Sequence, residues 1–117
     1  MSYMLLIIEP KGQREARTAE EGRAAYDAMI GFAESLRAQG LLLGANALKH
    51  ESKGARVQVR EGRTRLLDGP FSEVKEMIGG YYLLDCHSLQ QAQAIAAECP
   101  AARWATIEVR EIGTCYE

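Results

Sequence analysis

Hydrophobic and polar positions along this chain follow two periods, and the order of those periods predicts the architecture. Residues 3–9, YMLLIIE, are almost continuously apolar, which predicts a central strand covered on both faces. Pro10 and Gly12 end it, and polar residues 11–17 predict a mobile loop. Thr18 and Glu21 then form a capping box at the start of a helix that runs to about residue 39. Its apolar stripe is Ala25, Met29, Phe32 and Leu36, with Tyr26 and Ala33 beside it, and Gly31 offers a place for close packing. Gly40 is the expected left-handed stop.

Residues 41–48 predict a second strand, interrupted by Gly44, and residues 49–54 a polar loop carrying His50. Strict alternation over residues 56–60, a Glu61-Gly62 turn and a return over residues 63–67 predict a hairpin in which Val59 faces Thr64 and Val57 faces Leu66. Its polar face, with Arg56, Gln58, Arg60, Arg63 and Arg65, is expected to meet water at a sheet edge. Asp68-Gly69-Pro70-Phe71 makes a rigid corner, and Glu73, Lys75 and Glu76 are spaced for a short helical turn. A strand over residues 79–86 follows. Ser88 and Gln91 form a second capping box, before an apolar stripe of Leu89, Ala92, Ile95, Ala96 and Cys99. Pro100 closes that helix, residues 105–110 form a last strand, and residues 113–117 form a loose tail or a partner contact.

With the hairpin set aside, the order is β-α-β-β-α-β, the ferredoxin-like pattern within the α+β class. Both helices then cover one face of one antiparallel sheet. The strands at residues 4–8 and 81–84 are apolar on both sides, yet no third helix remains for the second face. Apolar burial is favourable by roughly 25 cal/mol per Å², so a second copy stacked sheet to sheet is expected, giving a homodimer with a shared barrel.

Several segments together resemble the YCII-related, or DGPF, family: YMLLI, GLLLGANAL, SKGARVQV, DGPFSEVKE, GGYYLLD and CPAARWATIEVR. The resemblance spans essentially the whole chain and implies one domain over residues 1–117 and a dimeric α+β barrel of ferredoxin-like protomers. It implies no firmly assigned reaction. Its relatives share their fold with muconolactone isomerase and small monooxygenases, and some sit beside extracytoplasmic-function sigma factors, which implies a possible regulatory partner. The broader family suggests a His–Asp pair near the first helix. That helix contains no His here, and Asp68 alone carries over by a matching motif.

Composition changes this picture little. The 117 residues bear a formal net charge of -2, so clustered basic charge for nucleic acid is not expected. The longest early apolar run is too short for a membrane span, and a cytoplasmic, soluble protein is the default expectation. Cys86, Cys99 and Cys115 are odd in number and widely spaced, which fits free thiols. No metal-ligand spacing and no phosphate-binding loop occurs, so no cofactor is expected. The candidate site residues are Asp68 as a base or acceptor in a corner cleft and His50 as its partner, with His87 a weaker choice. Phe71, Glu76, Tyr26, Tyr81 and Tyr82 are the candidate binding residues. Each has a structural alternative: a turn carboxylate for Asp68, an exposed loop residue for His50, and packing for the tyrosines. A small cofactor-independent enzyme or ligand binder, and a sigma-factor-associated interaction module, are the two functional readings.

Overall fold

The structure is a computed structural model and describes residues 1–71 and 73–116. Its organising element is β1 (Ser2–Pro10), which pairs antiparallel with β5 (Glu76–Asp85) on one side and β6 (Thr106–Glu111) on the other. β2 (Leu42–Ala47) pairs with the far edge of β5, so the sheet order is β2-β5-β1-β6. This is the ferredoxin-like order with every neighbour antiparallel.

Period two divides β1 cleanly. Tyr3, Leu5, Ile7 and Glu9 are buried, whereas Met4, Leu6 and Ile8 are only half-buried. The buried side packs against α2 (Ala19–Ala38) and α3 (Leu89–Glu98), so both helices do lie on one face. Ala33 and Leu36 from α2, and Ala92, Ile95 and Ala96 from α3, close over Leu5, Tyr82 and Leu84. Phe32 meets the Tyr82 ring edge-on, with centroids 5.3 Å apart. The Tyr82 hydroxyl donates to the Met29 carbonyl at 2.7 Å, and burial pushes its phenol pKa up. The other sheet face carries Met4, Leu6, Ile8, Tyr81 and Leu83, with no covering element among the described residues.

Both helix starts are capped, but differently. Thr18 and Glu21 make the reciprocal box, and the hydrogen bond from Thr18 N–H holds the Glu21 carboxyl below its usual range. At α3 the Ser88 hydroxyl accepts from Gln91 N–H at 3.1 Å, while Gln91 Oε1 reaches one residue further back, to His87 N–H. Gly40 adopts a left-handed φ of 72° beyond α2, as a helix terminator requires.

Four local expectations need correction. Residues 11–17 are not a mobile loop, because α1 (Gln13–Ala16) forms there and is tied down by side-chain bonds described below. The acidic and basic stretch at residues 73–76 makes no helical turn, since Glu76 already starts β5. Gly31 has open space around it and serves no close packing. The hairpin of β3 (Ala55–Arg60) and β4 (Arg63–Asp68) keeps the expected register but stands apart as its own two-stranded sheet, exposed on both faces. Glu61 and Gly62 both have positive φ, as a two-residue hairpin turn demands.

Among the described residues no helix is long and apolar enough to cross a membrane. Cys86 and Cys99 are buried and Cys115 is exposed, all as free thiols, and burial raises the Cys99 thiol pKa. Thiol reactivity follows thiolate character and access. A thiol-reagent titration of the native protein at pH 8 is therefore expected to show one fast thiol per chain. Cys115→Ser should remove that phase, and its persistence would contradict the burial pattern.

Candidate functional site

Period two predicts a conflict at the end of β1: the next position on the helix-facing side after Ile7 is a carboxylate. Glu9 is 7% exposed. A buried unpaired charge is costly, so the fold supplies a partner. α1 places Arg14 with Nε 2.6 Å from Glu9 Oε1 and Nη2 3.2 Å from Oε2, a two-pronged pair. The same guanidinium donates to the Leu48 carbonyl at 2.9 Å and the Gly79 carbonyl at 3.3 Å. One side chain thus joins β1, β5 and the segment after β2. Gly79 is required in this arrangement, because a Cβ there would run into the Glu9 carboxylate. At Gly80 a Cβ would sit 2.8 Å from the Asn46 carbonyl oxygen on the neighbouring strand. Close approach on both sides explains the Gly-Gly pair.

This pair forms one wall of a cleft of about 660 Å³ between α2 and the sheet. Ile7, Ala25, Met29 and Ala101 give it an apolar floor, and Tyr26 and Trp104 add aromatic walls. Arg14, Arg17 and Lys49 also line it. The Arg17 guanidinium lies over the Trp104 ring, 5.7 Å from its centroid. Gln13 Nε2 donates to the Trp104 carbonyl at 2.6 Å, which fixes α1 against the turn that follows α3. A smaller hollow of about 260 Å³ adjoins it, sharing Ile7, Tyr26, Met29 and Ala47 and bordered by Tyr81 and Tyr82.

A second groove, of about 430 Å³, lies at the base of the hairpin and includes His50, Glu51, Arg56, Phe71 and Glu76. Glu51 is 9% exposed, and the Lys11 ammonium stands 3.4 Å from its Oε1 while donating to the Phe71 carbonyl at 2.7 Å. Arg56 stacks over the Phe71 ring at 4.1 Å. His50 Nδ1 accepts from Ser52 N–H at 3.1 Å, so the ring proton belongs on Nε2. That Nε2 lies 3.2 Å from Glu15 Oε1, close enough for an ion pair but outside hydrogen-bond alignment.

The candidate residues therefore fall into separate places. His50, Phe71 and Glu76 border the hairpin groove, and Tyr26, Tyr81 and Tyr82 border the smaller hollow. Asp68 is exposed at the end of β4 and lines neither. No hydrogen bond or ion pair joins it to His50 among the described residues. In the DGPF corner the constrained residue is Gly69, where a Cβ would run into the Glu51 carbonyl, and the Gly69-Pro70 bond is cis. Tyr82 is core, and Tyr81 points to the opposite sheet face, accepting from Asn46 Nδ2 at 2.8 Å. Glu9, Arg14, Arg17, Lys49 and Trp104 were not anticipated. A carboxylate closing an apolar alternation, with an Arg five residues later, was the available signal.

Fold and cleft define an α+β protein of ferredoxin-like topology, with a four-stranded antiparallel sheet and a ligand-sized hollow on its helical side. The chain belongs to the YCII-related domain family, whose model matches residues 1–114. It is 29% identical, over 96% of its length and 92% of the relative's, to an uncharacterised protein of Rhizobium meliloti (strain 1021). It is similar in fold to the 5-chloro-2-hydroxyhydroquinone dehydrochlorinase of Burkholderia phenoliruptrix AC1100, solved in complex with 2,5-dihydroxybenzoquinone. There the TM-score is 0.59 at 13% identity, with 99% of this chain and 97% of that one covered.

Removing Arg14 leaves the Glu9 carboxylate buried without its partner. Arg14→Ala is expected to cost about 2–3 kcal/mol in urea unfolding. Adding Glu9→Gln to that variant should recover part of the loss. Equal stability of Arg14→Ala and the parent would show that the pair does not hold this corner.

Proposed function

We propose that this protein is a homodimeric small-molecule-binding protein whose ligand sits in the helix-side cleft. The observation that carries the binding role is the cleft itself: about 660 Å³, apolar at its floor and polar at its walls, in the usual size range of ligand sites. Its lining favours holding a ligand over acid–base chemistry on it. Among the described residues its lining contains no His and no Cys, and the one carboxylate there, Glu9, is bonded through both oxygens to Arg14. The dehydrochlorinase of the same fold was solved with a ring-shaped quinone, which supports a ligand-binding use of this architecture. A ligand-observed NMR screen of small aromatic and aliphatic compounds tests this. Binders are expected with the parent protein and are expected to be lost in Ala25→Phe, which fills the floor. A screen yielding no binder, or binders unaffected by that substitution, would remove the proposal.

The dimer rests on the uncovered sheet face. Leu43 and Ile78 are 56% and 49% exposed, and they extend the apolar surface of Met4, Leu6, Ile8 and Leu83. Stacked sheets pack about 10 Å apart and bury such faces from water. Light scattering is expected to give twice the chain mass of 12.9 kDa. Leu6→Lys on the open face should shift that mass to one chain with secondary structure retained. A parent protein that runs as a single chain at micromolar concentration would defeat the dimer.

A further inference from the structure

The charges of the helix-side cleft do not cancel. Among the described residues, four charged side chains line it: Glu9, Arg14, Arg17 and Lys49. Glu9 and Arg14 neutralise each other at 2.6 Å. Arg17 and Lys49 have no ion-pair partner among the described residues. Glu21, one turn along α2, feels the Arg17 charge but does not line the cleft: it borders a separate shallow hollow on the other side of Arg17. The cleft wall thus keeps two positive charges without a counter-charge of its own. An apolar cavity with low-dielectric walls strengthens such a field.

The arrangement is also polarised. Arg17 stands over Trp104 beside the start of α2, and Lys49 lines the cleft next to Leu48, whose carbonyl takes Arg14, whereas Ile7, Ala25 and Met29 supply apolar floor. Arg17 lies over the Trp104 ring, and among the described residues no hydrogen bond occupies its guanidinium donors, which suit a planar oxygen pair. Two cations without a glycine-rich loop suit one carboxylate better than a polyphosphate. We infer that the cleft takes a small organic carboxylate whose apolar or aromatic body lies on the Ile7–Met29 floor and whose anionic end is held by Arg17 and Lys49. This deepens the ligand-binding role proposed above and rests on it.

Three probes with one ring separate charge from shape: benzoate, benzamide and benzylammonium. Binding is read from the fluorescence of Trp104, the single tryptophan, and from ligand-observed NMR. Benzoate is expected to bind at least about tenfold tighter than benzamide, and benzylammonium weakest. Arg17→Gln and Lys49→Gln should each weaken benzoate several-fold, leave benzamide unchanged and retain the parent's circular dichroism. Added salt should weaken benzoate alone. Benzamide binding as tightly as benzoate would overturn the charge assignment and leave the cleft as a ligand site. Benzoate binding that survives Ala25→Phe, or no response to any probe, would overturn both.

Discussion

A central strand has two faces, and this chain owns enough helix to cover one of them. That constraint sorts the residues of β1. Tyr3, Leu5 and Ile7 go under α2 and α3, where they are 2%, 0% and 5% exposed, and Met4, Leu6 and Ile8 go to the other side. The register with β5 extends the division, since Leu5 opposes Tyr82 and Leu6 opposes Tyr81. Adjacent tyrosines thereby do unrelated work. One ring closes the core against Phe32, while the other lies on the uncovered face beside Asn46. The β-bulge between Ile7 and Ile8 lies where Gly79 and Gly80 bring β5 close to its neighbours.

The same alternation, carried one step too far, generates the cleft. A purely apolar helix-facing side would have ended at Ile7, and Glu9 instead places a carboxylate where water is nearly excluded. Every feature of that corner answers this choice: an Arg within reach, a glycine where a side chain would collide, and carbonyls to take the remaining guanidinium donors. The hairpin corner uses a parallel device, with Lys11 bridging the buried Glu51 and the Phe71 carbonyl. Lys11 and Arg14 flank the same turn after β1, so one short segment anchors both the cleft and the corner.

Elements were legible in the sequence where a period or a cap declares them. The Thr18–Glu21 box, the Glu61-Gly62 turn and the Gly40 stop each act within a few residues, so local chemistry suffices. α1 was not legible, because four residues give no helical period and a helix that short is not stable alone. Its existence depends on contacts with Glu9 and Trp104, distant or hidden in one dimension. The DGPF corner drew attention to its carboxylate, whereas the structure constrains its glycine. Tyr81 and Tyr82 both border the smaller hollow together with Tyr26, although period two turns neighbouring strand residues to opposite faces.

Function and folding meet in the Glu9–Arg14 pair. Arg14 fixes α1, and α1 is followed directly by Arg17 and the Thr18 cap of α2. The position of the Arg17 guanidinium over Trp104 therefore depends on how α1 is held, by the Glu9–Arg14 pair and by the Gln13 bond to the Trp104 carbonyl. With both oxygens of Glu9 bonded, freeing that carboxylate to move a proton would abandon the contacts that shape the cleft. A site built this way gains order at its mouth by tying up the one carboxylate that lines it among the described residues. That trade is reasonable for a protein that holds a small molecule and poorly suited to one that must deprotonate it.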